Sequence, residues 1–238
     1  MTRRFLRCAL AGLPMACLLL GAPQPVSATI VFDDHFDGNS GGMPAGWHLL
    51  FGPGTVVESG TTVLFTNDVV IASDGVFDPT QGEVTLATEF ALLSGTTGGM
   101  MGLVDGNITH AIVALVHSPD GMLKVVAIDE GGEQHYYPGY LSAYAGGPIR
   151  MTLALGPASF CLSTDDPPFS TGPIDYASVF PTFTRDDLDT ASHVCVGNDS
   201  IEELDTDLCG VDRVTMEVEL PTPVERSTLG RIKALFRR

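Results

Sequence analysis

Between Gln134 and Tyr144 the chain reads Gln-His-Tyr-Tyr-Pro-Gly-Tyr-Leu-Ser-Ala-Tyr, which gathers four of its five tyrosines into eleven residues. Aromatic rings that stack on apolar faces, beside amide and imidazole groups that bond hydroxyls, are the equipment of a ligand-facing patch. Gln134, His135, Tyr136, Tyr137, Tyr140 and Tyr144 are therefore the candidate binding residues, expected on a loop between sheets. The competing reading has the same rings covering one end of a sandwich or stacking within a hairpin. A second cluster is acidic. Asn198, Asp199, Asp205 and Asp207 offer the hard oxygen donors that calcium takes. Asp33, Asp34 and Asp37 would join them if the terminal strands pair. No complete calcium-loop pattern is present, so calcium is weighed against a plain acidic surface.

The remaining reactive side chains form no set. His35, His48, His110, His117, His135 and His193 lack ligand spacing such as His-x-x-x-His. No serine sits in a Gly-x-Ser-x-Gly elbow, so that hydrolase chemistry has no support. Three cysteines follow residue 28, and Cys195 and Cys209 bracket a segment, Val196 to Leu208, expected to be a polar loop. That spacing favours a Cys195–Cys209 disulfide, leaving Cys161 as a buried thiol or an intermolecular partner. Trp47 is expected in the core.

The elements that must position these groups are strands. Glu83–Leu92 alternates, with Val84, Leu86, Thr88, Phe90 and Leu92 on one face. Arg213–Glu219 turns Val214, Met216 and Val218 inward, and Arg150–Leu155 does so with Met151, Leu153 and Leu155. This period of two is that of half-buried antiparallel strands. Further strands are expected over 30–32, 56–58, 62–65, 69–72, 100–104, 111–117 and 122–128. Ser118-Pro-Asp-Gly121 supplies the turn of a hairpin between the last two. Apart from one turn near Arg185–Leu188, no helical period precedes the tail. About a dozen strands broken by Gly, Pro and Asp turns predict an all-β, two-sheet antiparallel sandwich or jelly roll.

Both ends differ from this body. Arg3, Arg4 and Arg7 precede an apolar run over residues 9–21 and a small-residue site, Val26-Ser27-Ala28, the pattern of a cleaved secretory signal. Residues 1–28 are expected to be that signal, 29–220 the β domain, and 221–238 a Pro hinge with a basic tail. In the tail, Leu229, Ile232, Leu235 and Phe236 follow helical spacing opposite the bases, predicting a short amphipathic helix. From Thr29 to Leu220 four bases face 28 carboxylates, a balance of −24, whereas the last 18 residues carry +4. So acidic a body repels nucleic acid and anionic lipid. The apolar run is too short for a membrane-spanning helix, so a secreted or extracytoplasmic place is expected, the periplasm or envelope if bacterial.

The segment Ile30-Val-Phe-Asp-Asp-His-Phe-Asp-Gly38, followed by Met43-Pro-Ala-Gly-Trp47, resembles the opening of concanavalin A-like, laminin-G-like jelly rolls. His193-Val-Cys-Val-Gly-Asn198 and Val211-Asp-Arg-Val-Thr-Met-Glu-Val218 are similar to their closing strands. The resemblance implies that the final strand returns to pair beside the first. It also implies a choice among lectins, carbohydrate-binding modules, adhesion domains and glycosidases, which the fold alone does not make. A retaining glucanase of this kind carries Glu-x-Asp-x-(x)-Glu on one strand, putting two carboxylates about 5–5.5 Å apart on one face. Glu203-Leu-Asp-Thr-Asp207 is the nearest match and ends in Asp within an acidic stretch. The tail is similar to Ser-Thr-(Trp/Leu)-Gly-x-Ile-Lys segments of exported bacterial proteins. The expected function is a non-catalytic binding module for carbohydrate or another cell-surface ligand. The alternatives are an envelope protein whose tail is a sorting or docking signal, and a degenerate glycoside hydrolase.

Overall fold

The computed structural model describes residues 28–38, 40–95, 97–118, 120–200 and 208–219. The expected signal through residue 27, the tail, Glu203, Asp205 and Asp207 lie outside the described residues. The first strands are β1 (Ala28–Asp34), β2 (Trp47–Phe51), β3 (Thr55–Ser59), β4 (Thr62–Thr66) and β5 (Val69–Ser73). Next come β6 (Glu83–Ser94), β7 (Thr97–Val104), β8 (Ala111–His117), β9 (Met122–Asp129) and β10 (Gly132–Tyr140). β11 (Ile149–Leu155), β12 (Ser159–Thr164), β13 (Phe169–Ser170) and β14 (Ile174–Asp175) lead to a one-turn helix, α1 (Tyr176–Val179). A 3-10 turn, Arg185–Asp187, stands where a helical turn was expected, and β15 (His193–Ser200) and β16 (Leu208–Glu219) complete the set.

These strands form two antiparallel sheets. Sheet A runs β13-β12-β11-β6-β16-β4-β3, with β1 beside β16 and β14 beside β12. Sheet B runs β10-β9-β8-β7-β15-β5-β2. The last strand does return beside the first, with Ala28 opposite Glu219 and Asp34 opposite Val214. Arg213 clamps that pairing, its Nε and Nη2 donating to the two oxygens of Asp33 at 2.9 Å each.

The core fills the space between the sheets. Val84, Leu86 and Phe90 of β6, Met151, Leu153 and Leu155 of β11, and Val214, Met216 and Val218 of β16 all face it. From sheet B come Met101 and Leu103, Ile112, Ala114 and Val116, Leu123 and Val125, and Val194 and Val196. Fully burying one such side chain contributes about 1.5–3 kcal/mol, so strict alternation holds the register. Register shifts interrupt it in the β1–β16, β2–β5, β9–β10 and β6–β16 ladders. The β6–β16 ladder shifts between Gly210 and Val211 and again between Val211 and Arg213. A one-residue slip moves every later side chain to the other face. Leu92, expected inward, is therefore exposed, and Leu93 is buried in its place.

Trp47 is 5% exposed and donates through Nε1 to Asp34 at 2.7 Å. Three expectations are corrected. The Tyr-rich segment is, through Tyr140, not a loop but the edge strand β10, paired with β9; only its end, residues 141–144, is loop. Residues 196–200 are not loop but the second half of β15, paired with β7 and β5. Cys195 and Cys209 are free thiols. Alternation directs Cys195 to the outer face of sheet B, whereas Cys209 faces the inter-sheet core and approaches the carbonyl of Gly197 at 3.7 Å. The backbone of β15 lies between the two sulfurs.

Candidate functional site

The strands of sheet B do not read as a sheet with one wet face. β8 is Ala-Ile-Val-Ala-Leu-Val-His and all seven residues are buried. β7, Thr-Gly-Gly-Met-Met-Gly-Leu-Val, is buried throughout as well. Its outer positions are Gly98, Met100, Gly102 and Val104, and the two glycines remove side chains that would fill the surface. Val70, Ala72, Met100, Leu115, Val126 and Cys195 make a second apolar cluster on this outer face, apart from the inter-sheet core. All of them but Ala72 line a groove that is open to solvent, with a cavity volume of about 230 Å³.

The lips of the groove are of two kinds. Phe51 and Ile108 project into solvent at 53% and 61% exposure. Ile108 holds φ at 59°, a left-handed conformation that a β-branched residue rarely adopts. The Asp105 carboxylate enforces it, accepting from Thr109 N and Thr109 Oγ1 at 2.7 Å each. The other lip is the outer side of β10. In register, Glu133 faces Ile128, His135 faces Val126, and Tyr140 faces Met122. His135 and Tyr137 stack with ring centroids 6.4 Å apart and planes within 10°. Tyr137 and Tyr140 are 57% and 64% exposed. The result is an aromatic strip of His135, Tyr137 and Tyr140 beside an apolar groove.

The other candidate binding residues turn away from it. Gln134 bridges Asp129 Oδ2 at 2.5 Å and Thr182 Oγ1 at 2.6 Å. Tyr136 packs edge-on against Phe160. Tyr144 is 7% exposed in the core and donates to the Gly147 carbonyl at 3.1 Å, and burial raises its phenol pKa. Of the six, the fold brings His135, Tyr137 and Tyr140 to one face and sends Gln134, Tyr136 and Tyr144 inward.

The two candidate calcium residues that are described, Asn198 and Asp199, separate for the same reason. Asn198 and Asp199 are neighbours on a strand, so they point to opposite faces. Asn198 is fully buried and donates to the Asn67 carbonyl at 3.1 Å. Asp199 reaches over the outer face, where Lys124 Nζ meets it at 3.8 Å. Asp33 is engaged by Arg213, and Asp34 by Trp47 and the Phe36 amide. No group of three or more His, Cys, Asp or Glu side chains able to hold a metal occurs among the described residues.

One end of the groove is polar. Across sheet B the row runs from Tyr140 to Met122 on β10 and β9, then from His117 to Gly98 and Asp199 on β8, β7 and β15. Lys124 lies one step inside that row and still reaches Asp199, although β8 and β7 separate their strands. Strands sit about 4.8 Å apart, so this ion pair arches over a hollow face. His117 is 2% exposed, and neither of its ring nitrogens has a partner. Its ring lies over Gly98, where an added Cβ would come within 2.9 Å of Cε1. Burial lowers the pKa of His117, with Lys124 adding to the effect against Asp199 and Asp120, which favours the neutral imidazole. Sequence reading missed this groove. The available signal was the apolar character of both faces of β7 and β8.

No family model matches the chain, and no curated protein is similar to it in sequence. Solved structures are similar in fold. The CBM2 module of the evolved Dit of Lactobacillus casei BL23 phage J-1 aligns with a TM-score of 0.56 at 9% identity, covering 82% of this chain and 97% of the module. β-Agarase A from Zobellia galactanivorans aligns at 0.56 and 11% identity, over 81% of this chain and 92% of the agarase. SCLam, a non-specific endo-β-1,3(4)-glucanase from family GH16, aligns at 0.58 and 10% identity, over 82% of this chain and 92% of the glucanase. The two stacked sheets, with the closing strand returned beside the opening one, are the concanavalin A-like jelly-roll sandwich.

Proposed function

We propose that this protein is an exported, non-catalytic binding module whose ligand face is the outer face of sheet B, and that its ligand is a carbohydrate. The observation that carries the reading is the exposed aromatic strip of His135, Tyr137 and Tyr140 along the lip of an open groove. Flat rings that protrude beside a cleft stack on the apolar faces of sugar rings, and nearby polar groups bond the hydroxyls. The likeness in fold to a module and two enzymes whose names are of carbohydrate binding or breakdown is consistent with it.

Among the described residues, the carboxylates of this face favour binding over hydrolysis. Asp199 on β15 is held by Lys124, and Glu133 stands on β10, four strands away. Four strand spacings are about 19 Å, whereas paired glycosidase carboxylates stand about 5–9.5 Å apart. The secretory pattern of residues 1–28 supports export, and among the described residues no helix is long and apolar enough to cross a membrane.

A glycan array probed with the purified protein tests the reading. Binding to a defined class of oligosaccharide is expected, with Tyr137→Ala and Tyr140→Ala each weakening it about ten-fold or more. Absence of glycan binding, or binding that both variants retain in full, overturns it. Release of reducing ends from β-glucan or agarose by the purified protein would overturn the non-catalytic part.

A further inference from the structure

The floor of the groove is the wrong surface for a free sugar. Val70, Met100, Val113, Leu115, Val126 and Cys195 carry no hydroxyl, amide or charge to satisfy a ring of hydroxyls. Burying polar groups without partners is costly, so a ligand lying along this floor must itself be apolar. The groove extends along the strands from Leu115 and Lys124 to Ala111 and Ile128. Four residues of strand span about 13 Å, the length of a medium alkyl chain.

The end of the groove has the opposite chemistry. Lys124 supplies donors and Asp199 supplies acceptors. His117 in its neutral form supplies one donor and one acceptor, and both are unpartnered although the residue is 2% exposed. Buried polar atoms are nearly always bonded, so this imidazole marks a place where bonds remain to be made. Donor and acceptor together match a hydroxyl, which is both at once. An anionic head would meet Asp199 on a body of balance −24, and a cationic head would meet Lys124. Tyr140 opens the same row and continues into the aromatic strip.

We propose that the groove takes a neutral amphiphile, with one hydrocarbon chain along the floor of sheet B and a hydroxylated head between Lys124 and Asp199, beside the row that carries His117 and Tyr140. This rests on the reading of the outer face as a carbohydrate site and narrows it to lipid-linked or alkyl-substituted sugars. The cation in the groove is one of only four bases in the body. Here it holds the arch over the head-group end instead of serving as an anion site.

Isothermal calorimetry on the full protein decides the matter, with octyl β-D-glucopyranoside below its micelle concentration as the probe. Methyl β-D-glucopyranoside, octanoate and octyltrimethylammonium are the comparisons. The octyl glucoside is expected to bind at least about 100-fold more tightly than the methyl glucoside, since most of the added methylenes leave water. It should also exceed both charged chains by about ten-fold. Val113→Phe, which fills the groove and keeps the fold, should abolish the gain from the chain, as should Val113→Glu. His117→Phe and Lys124→Met should each weaken octyl glucoside about five-fold or more, with melting curves confirming that the variants are folded.

Equal binding of octyl and methyl glucosides overturns the proposal, as does equal binding of the glucoside and the charged chains. The two readings fail separately. Glycan binding that depends on Tyr137 but gains nothing from an alkyl chain sinks this inference alone. Octyl glucoside binding that Tyr137→Ala leaves intact sinks the aromatic strip alone.

Discussion

At the scale of single residues, burial decides which side chains react. It pushes the Cys195 thiol up to about 12 and raises that of Cys209 as well, because each would have to ionise away from water. The thiolate is the reactive form, so both are inert in the folded protein. Cys161 is half-buried on the outer side of sheet A, 3.7 Å from Ser170 Oγ. Iodoacetamide applied to the native protein is therefore expected to label Cys161 first, and Cys195 and Cys209 only after unfolding. A Cys195–Cys209 peptide in a non-reducing digest would refute this. Glu58 shows burial acting through bonds instead. Its carboxylate, 2% exposed, accepts from the amides of Ser40 at 2.8 Å and Gly38 at 3.1 Å. Those bonds, Ser40 first, hold its pKa below the usual value. Glu58→Ala should cost roughly 1–3 kcal/mol in chemical denaturation at neutral pH. The stabilisation belongs to the ionised form, so it is complete above the ordinary glutamate value of about 4.3 and lost as the pH falls below it. The difference between variant and parent should shrink there.

At the scale of elements, a single backbone position ties the 141–148 loop to β6. Gly146 has φ +86, and an added Cβ would lie 2.1 Å from the carbonyl oxygen of Leu93, whose amide donates back to the Gly146 carbonyl at 3.0 Å. Gly146→Ala should cost about 2 kcal/mol or more. Gly147→Ala, with nothing within 4 Å of its Cβ, should stay within about 0.5 kcal/mol. Equal melting temperatures for the two would show that the loop yields. The same scale shows how far the sequence could be read. The alternation of β6, β11 and β16 and the β8–β9 hairpin were legible because one face of each must exclude water. β10 was not, because Pro138 and Gly139 read as a loop signal. On the outermost strand of a sheet, proline is tolerated where no ladder bond is needed. The bulge that exchanges Leu92 for Leu93 had no signal at all, since both residues are leucine.

At the scale of the whole molecule, the acidic body is least tolerant of low pH where a neutral group is buried. His117 has a lowered pKa through desolvation, so the unfolded chain takes up a proton near pH 6.5 that the folded chain refuses. Stability from this group is complete above about pH 6.5 and falls as the pH drops toward its folded value. His117→Phe should therefore flatten the dependence of melting temperature on pH between about 6.5 and 5. An unchanged slope would place the acid sensitivity elsewhere. The groove beside His117 is a property of the same scale. It needs the seven strands of sheet B in register, two glycines on β7 and an ion pair that crosses two strands.

The sequence by itself determined the all-β class, the antiparallel pairing of its clearest strands, the inward set of the core and the acidity of the body. Each follows from local pattern, because a period of two and a turn dipeptide act over a few residues. Tertiary structure decided which residues meet. It put Cys195 and Cys209 on opposite sides of β15, sent Asn198 and Asp199 to opposite faces, and kept only His135, Tyr137 and Tyr140 of the six candidate binding residues on the open face. It also made a groove from β7 and β8, whose apolar residues look in sequence like ordinary core. The physical reason is parity. On a strand, one residue of register separates a ligand-facing side chain from a buried one, and register is set by partners far away in the chain.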